Sequence, residues 1–288
     1  MNTYKKPYVI AEIGCNHKGD MEIAKELIKV AKIFCKVDAV KFQKRNNKEL
    51  LTESQYNAPH PNPVNAYGET YGEHREFLEF SLDQHQELKK FCTEMEITYS
   101  TSVWDLTSAQ EIASLQPEFI KIPSACNNHF EMLTWLCENY SGEIHISTGM
   151  TTKTEIRQLV EFFTEKGRNR DLVIYNCTSG YPVPFEDVCL LEITRMKQLY
   201  GDKVKHIGFS GHHLGGHDDI LAYYSQPGPA IIAVLTLLVG FVHFNNGVRS
   251  AIEDYTGGLT RKALLLASTI VSYGAAATGV FAIAKIAL

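Results

Sequence analysis

Short apolar runs alternate with stretches of helical period over the first two thirds of the chain, mostly at intervals of about 25–35 residues. The runs predict strands at Tyr8–Ile13, Ala39–Gln43, Ile97–Ser102, Phe119–Ser124, Glu143–Thr148, Leu172–Thr178 and His206–Ser210. Met21–Cys35, with apolar Ile23, Ala24, Leu27, Ile28, Val30 and Ala31, predicts an amphipathic helix, as do Leu82–Met95 and Lys153–Lys166. Thr152 is a candidate N-cap for the last, with Glu155 completing a capping box. This βα repeat predicts an α/β fold with a parallel sheet over residues 1–213. Beyond Leu214 the pattern changes. Ala230–Phe244 is apolar except for Thr236 and His243, and Ala263–Leu288 carries Lys285 as its only charge. The second run has the length of a bilayer span, and the first reaches it if the helix continues past Asn245. Pro227 and Pro229 suit the start of the first helix. Residues 214–288 therefore read as an all-α two-helix membrane hairpin.

The predicted strand ends are polar: Glu12, Lys41 and Gln43, Thr101, Lys121 and Ser124, Ser147 and Thr148, Asn176 and Thr178, then Ser210 and His212. Parallel strands point their C-termini to one side, and in a β/α barrel that rim carries the active site. A lone Ser or Thr at a strand end is commonly a turn cap, and a lone Lys there is commonly solvated. Seven such ends in succession favour a shared site. Two lysines with hydroxyls and an amide suit a phosphorylated or carboxylated small molecule, and a carboxylate with a histidine suits a divalent metal.

Charge sharpens the seam near Leu214, since only eight charged side chains lie beyond it and 53 before it. The net charge of −5 gives no reason to expect nucleic-acid binding. All seven cysteines lie between Cys15 and Cys189 without a CxxC pair, and Met1–Lys6 is short and polar. Both features predict a reducing, cytoplasmic setting for the first part.

Ala11-Glu12-Ile13-Gly14-Cys15-Asn16-His17-Lys18-Gly19-Asp20 resembles the opening motif of N-acetylneuraminate (sialic acid) synthases, as does Lys41-Phe42-Gln43-Lys44. Thr70-Tyr71-Gly72-Glu73-His74 with Leu78-Glu79-Phe80-Ser81 extends the match. Phe119–Ser124 with Asn127-Asn128, Ser147-Thr148-Gly149-Met150, Asn176–Ser179 with Tyr181-Pro182, Glu186-Asp187-Val188, and Ile207–His212 keep order and spacing. The resemblance implies a (β/α)8 TIM barrel that condenses phosphoenolpyruvate with N-acetylmannosamine, or a related amino sugar, to give N-acetylneuraminate and phosphate. It implies Glu12 as the carboxylate that orients the attacking water or the metal's own water, and His212 as one of two histidines on Mn²⁺ or Mg²⁺. Lys41, Thr101, Lys121, Ser124, Ser147, Asn176 and Ser210 match positions that hold phosphoenolpyruvate, with Gln43 and Tyr181 on the sugar side. It implies a homodimer as well. The family's eighth strand and its second metal histidine have no counterpart after Leu214, so the expectation is a seven-strand barrel with little or no activity by itself.

Residues 215–288 resemble the hydrophobic membrane anchor subunit of succinate dehydrogenase, through His243-x3-Gly247, Glu253-Asp254-Tyr255 and Tyr224-Ser225-Gln226-Pro227. That resemblance implies His243 as a haem b ligand, Asp254 and Tyr255 beside a quinone site, and an inner-membrane location. Arg249, Arg261 and Lys262 place the interhelix loop in the cytoplasm, which would send the barrel's attachment point outward. Two other readings of the whole chain follow: a non-catalytic haem- or quinone-binding membrane subunit carrying the barrel as cargo, and a chimeric reading frame without function.

Overall fold

A computed structural model describes residues 6–213 and 227–287. The chain divides between His213 and Leu214 into two compact units.

The first unit opens with β1 (Ile10–Gly14), α1 (Met21–Ile33) and β2 (Ala39–Lys44). A long connection then carries α2 (Asn47–Leu50), α3 (Glu53–Tyr56) and α4 (Tyr71–Phe77) before α5 (Leu82–Glu94). There follow β3 (Thr98–Val103), α6 (Leu106–Ser114), β4 (Phe119–Ile122), α7 (Phe130–Asn139), β5 (Glu143–Ser147), α8 (Lys153–Glu165), β6 (Leu172–Cys177), α9 (Leu191–Tyr200) and β7 (His206–Ser210). The strands pair in parallel in sequence order, β1 through β7, the arrangement of a TIM-like barrel with seven strands among the described residues. Each predicted strand ends within two residues of the observed one. The largest differences are at β1, which starts at Ile10, and at β4, which stops at Ile122 because Pro123 has no N–H for the ladder. The helix starts are set by side-chain caps. Asp20 accepts from Glu22 and Ile23 N–H at α1, and full capping boxes stand at Ser81/Gln84 and Thr152/Glu155.

Successive strand residues face opposite sides, so each strand sorts its side chains into two layers. Val40, Phe42, Tyr99, Ile120, Ile122, Ile144, Ile146, Leu172 and Ile174 face the helices and pack with Ala24, Ile28, Leu88, Ile112, Leu136, Leu159 and Phe163. The alternate residues, among them Glu12, Lys41, Ser102, Lys121, His145, Ser147 and Tyr175, face the barrel interior. This sorting puts the polar chemistry inside the sheet.

The second unit is a pair of helices, α10 (Pro227–Tyr255, 29 residues) and α11 (Gly258–Ala287, 30 residues). The first runs on through Asn245, and the second starts before Ala263. At about 1.5 Å per residue both exceed a hydrocarbon core of about 30 Å. Ser268 Oγ donates to Asn245 Oδ1 across the hairpin at 3.2 Å. Arg261 donates to the carbonyls of Glu253 and Thr256 at 2.7 Å, satisfying acceptors that the end of α10 leaves free. Ile231, Val239, Leu266 and Phe281 are among its exposed apolar side chains.

Candidate active site

Glu12, Lys41, Gln43 and Arg45 form a continuous chain of polar contacts at the ends of β1 and β2. Lys41 Nζ binds Glu12 Oε2 and donates to Ser102 Oγ at 2.7 Å. Gln43 Nε2 donates to Glu12 Oε1 at 3.3 Å, and the amide oxygen of Gln43 accepts from Arg45. Gly14, at φ +57°, leaves space for this contact: a Cβ there would lie 3.2 Å from Glu12 Oε1 and 3.3 Å from Gln43 Nε2. Arg45 is buried against Glu79 (3.2 Å) and lies 4.3 Å from the Trp104 ring centroid. Burial, then the Lys121 and Arg45 cations, press the Lys41 ammonium well below the usual lysine range, while its contact with Glu12 opposes them.

Lys121 stands on β4, facing the same interior. Its Nζ contacts Ser147 Oγ and donates to the Ile122 carbonyl at 3.2 Å. Burial pushes it down to about 7. Just beyond the strand end, Gly149 N–H donates to Ser124 Oγ at 3.0 Å, and a Cβ at Gly149 would collide with both Ser124 Oγ and Ser179 Oγ. Ser124 and Ser179 are thus drawn against one bare stretch of backbone. Asn127 ties the end of β5 to this loop by donating to the Ser147 carbonyl at 3.0 Å.

His212 follows β7, with Tyr181 Oη and Ser210 Oγ each 3.4 Å from Nε2. Burial, then Lys121 and Lys41, hold this imidazole below its usual range, so it is neutral near pH 7. A neutral imidazole is a suitable ligand for a divalent ion. Among the described residues, however, no three His, Cys, Asp or Glu side chains converge to hold a metal, and Glu12 is engaged by Lys41. His212 fits as a single ligand, and the described donors do not make a metal centre.

Two expected contacts lie on the other face of their strands. Thr101 is fully buried and donates to Tyr99 Oη at 2.6 Å, on the same side as Tyr99 and Val103. Its neighbour Ser102 holds the interior position and meets Lys41. Asn176 shares the helix-facing side of β6 with Leu172 and Ile174 and donates to the Cys189 carbonyl at 3.2 Å. Strand alternation explains both, since a one-residue step exchanges the faces. Ser102, Ser179 and Arg45 escaped the sequence reading. For Ser102 a signal existed: Tyr99 and Val103 are the bulky members of Thr98–Val103, and they mark the helix-facing parity. Ser102→Ala is expected to weaken anion binding by roughly ten- to a hundredfold by removing a hydrogen bond to a charged group, worth about 1.5–3 kcal/mol. Thr101→Ala is expected to leave that affinity unchanged and cost about 1 kcal/mol of stability. Titration calorimetry with phosphoenolpyruvate and urea unfolding separate the two; equal binding losses would contradict the placement.

On the hairpin, His243, Asp254 and Tyr255 are exposed and gather no partner set for haem or quinone among the described residues.

The sequence profile of the NeuB family matches residues 27–228, which carries the match past His213 and begins it after Glu12. The chain is 37% identical over 213 residues to N-acetylneuraminate-9-phosphate synthase of Drosophila melanogaster, covering 72% of this chain and 54% of that protein. It is 30% identical over 219 residues to N,N'-diacetyllegionaminic acid synthase of Campylobacter jejuni, covering 76% and 64%. The chain thus spans about half the length of the first of these relatives. The fold is similar to that of the sialic acid synthetase of Leptospira borgpetersenii, with a TM-score of 0.62, 24% identity, and coverage of 76% of this chain and 70% of that one. None of these matches supports the membrane-anchor resemblance of residues 215–288.

Proposed function

The chain belongs to the NeuB family, and from that premise we propose that its barrel unit condenses phosphoenolpyruvate with an N-acylated amino sugar of the N-acetylmannosamine type. The observation that carries this reading is the convergence of two lysines, the part-buried Lys41 and the buried Lys121, on one interior face beside Glu12. Compact ammonium groups in a low-dielectric site suit a carboxylate and a phosphate on one small molecule. Ser102 and Ser147 hold the two lysines in place, and Ser124 and Ser179 offer hydroxyls at the rim.

In the reaction, C3 of the enol phosphate adds to the sugar's aldehyde carbon, and the aldehyde oxygen takes up a proton. Water adds at C2, and the C2–O bond to phosphate breaks to release phosphate. Glu12, half-exposed and in contact with Lys41, takes the proton of that water. Gln43 and Tyr181 face the sugar. The three carbons of phosphoenolpyruvate turn C6 of the acceptor into C9 of the product. The name of the 37% identical relative therefore favours a 6-phosphorylated acceptor. Glu12→Gln is expected to lower phosphoenolpyruvate-dependent phosphate release by about 10²–10⁴-fold, with phosphoenolpyruvate affinity within threefold of the parent. Turnover that survives the substitution would remove Glu12 from the chemistry. No phosphoenolpyruvate binding by the parent chain would overturn the reading itself.

A second reading concerns the C-terminal helices, each long and apolar enough to cross a membrane. Their exposed aliphatic and aromatic surface favours a membrane hairpin, and the Asn245–Ser268 contact gives the two helices a polar tie in hydrocarbon. The full chain is expected to stay with membranes through alkaline carbonate extraction, and a chain lacking 227–287 to be released. Release of both would exclude insertion.

A further inference from the structure

Below the rim, the barrel interior contains a polar sequence, centred on the buried His145, that the proposed chemistry does not use. It runs from Glu143 through His145 to Tyr175 and ends under Lys121. The parallel registers put Lys121 opposite His145 and Ser147 opposite Tyr175, so these side chains share one face of three adjacent strands. Glu143 accepts from Lys205 at 2.8 Å and from His145 Nε2 at 3.1 Å. The His145 hydrogen bond is the main reason its carboxyl sits at about 2, so it is ionised.

That carboxylate decides the tautomer of His145. Burial keeps the imidazole neutral near pH 7, and a neutral ring has one N–H. Glu143 accepts only, so the proton is on Nε2, and Nδ1 is left as an acceptor. The hydroxyl of Tyr175 lies 2.7 Å from Nδ1 and is therefore the donor. Phe119 stacks on the imidazole at 4.1 Å and 13°, which holds the ring plane. Gly208 leaves room for the phenol: a Cβ there would lie 2.5–2.6 Å from the Tyr175 ring. The ring is thus fixed at its hydroxyl and along its side. Lys121 Nζ sits 4.8 Å from its centroid, within cation–π range. A phenol that donates its proton into a hydrogen bond presents a more electron-rich face to a cation.

We propose that Tyr175, oriented by the Glu143–His145 pair, is the positioning residue of Lys121, its ring forming the platform that holds the ammonium toward Ser147 and the anion. The assignment rests on Lys121 as an anion-binding lysine, as read above. The other groups bearing on Lys121 are Lys41 from β2, Cys177 from β6, His145 from β5 and His212 after β7. An inert polar floor would have no reason to act on Lys121 selectively.

The test uses the full chain with Tyr175→Leu, Tyr175→Phe and His145→Gln. Competitive acetic anhydride labelling from pH 5 to 10, read by mass spectrometry, gives the titration midpoint of Lys121 without any ligand. Calorimetry with phosphoenolpyruvate gives the affinity. Tyr175→Leu is expected to lower the midpoint by about one pH unit and the affinity by about five- to tenfold. Tyr175→Phe keeps the ring and His145→Gln frees the hydroxyl, so both are expected to move the midpoint down by less than half as much. A parent midpoint in Tyr175→Leu overturns the proposal, and so does a Tyr175→Phe loss equal to that of Tyr175→Leu. Should Tyr175→Leu fail to fold by circular dichroism, Tyr175→Met takes its place: a midpoint lowered by about one pH unit supports the platform and a parent midpoint overturns it. Absent phosphoenolpyruvate binding by the parent would count against the proposed function, while the labelling midpoints still judge Tyr175.

Discussion

Lys121→Met is expected to reduce phosphoenolpyruvate affinity by roughly thirty- to several-thousand-fold, because removing one partner of a desolvated charge pair costs about 2–5 kcal/mol. Lys121 is only 6% exposed, so little water would replace its ammonium against a bound phosphate or carboxylate. Methionine keeps the unbranched stem and removes the charge alone. The pH dependence follows from the same burial. With Lys121 at about 7 in the folded chain, the anion-binding form is lost as pH rises above neutrality. Affinity should therefore fall from pH 6 to pH 9 in the parent and respond far less in Lys121→Met. Stability runs the other way. The folded midpoint lies below the ordinary lysine value of about 10.4, so the unfolded chain binds more protons between the two and stability rises with pH across that window. Lys121→Met should lose that slope and gain stability near pH 6. Calorimetry and urea unfolding at both pH values test the three statements. A Met variant that binds within fivefold of the parent would exclude Lys121 from the anion site.

Arg45→Met is expected to destabilise the barrel unit by about 3–5 kcal/mol, the cost of leaving a buried charge without its partner. Arg45 is 8% exposed, and the Glu79 side chain is about as buried. Glu79 also accepts the backbone N–H of residue 45 at 3.0 Å, so one polar group ties the connection after α4 to the end of β2. Burial raises the Glu79 carboxyl, and Arg45 opposes that rise. Without the guanidinium, burial raises the Glu79 carboxyl further, which favours its neutral form and recovers part of the loss. Glu79→Gln added to Arg45→Met should restore part of the stability for the same reason. Unfolding midpoints in urea would show it, and a loss under 1 kcal/mol in the single variant would mean that the pair contributes little. The substitution also frees the Gln43 amide oxygen, so Glu12 loses a neighbour whose orientation Arg45 sets.

Much of this protein is local and was legible in the chain. Strand runs such as His206–Ser210, the Thr152/Glu155 box and the two apolar helices depend on neighbours a few residues apart, and periodicity and capping act over that range. Glu12, Lys41 and Lys121 stood out because a charge ending an apolar strand is conspicuous wherever the strand goes. Thr101 and Asn176 lie on the helix-facing side of their strands, and the side a strand residue takes depends on which face the helices cover. In Thr98–Val103 only Tyr99 and Val103 mark that face, and the other four side chains are small and polar. The distant pairings were not legible at all. Glu79 meets Arg45 from 34 residues away, Ser102 meets Lys41 from 61, and Tyr175 meets His145 from 30. Composition and period by themselves determined that a βα sheet would gather polar strand ends on one rim, followed by two long apolar helices. Only tertiary packing decided which alternate residues face the barrel interior, since burial of one face against the helices leaves the other to the site.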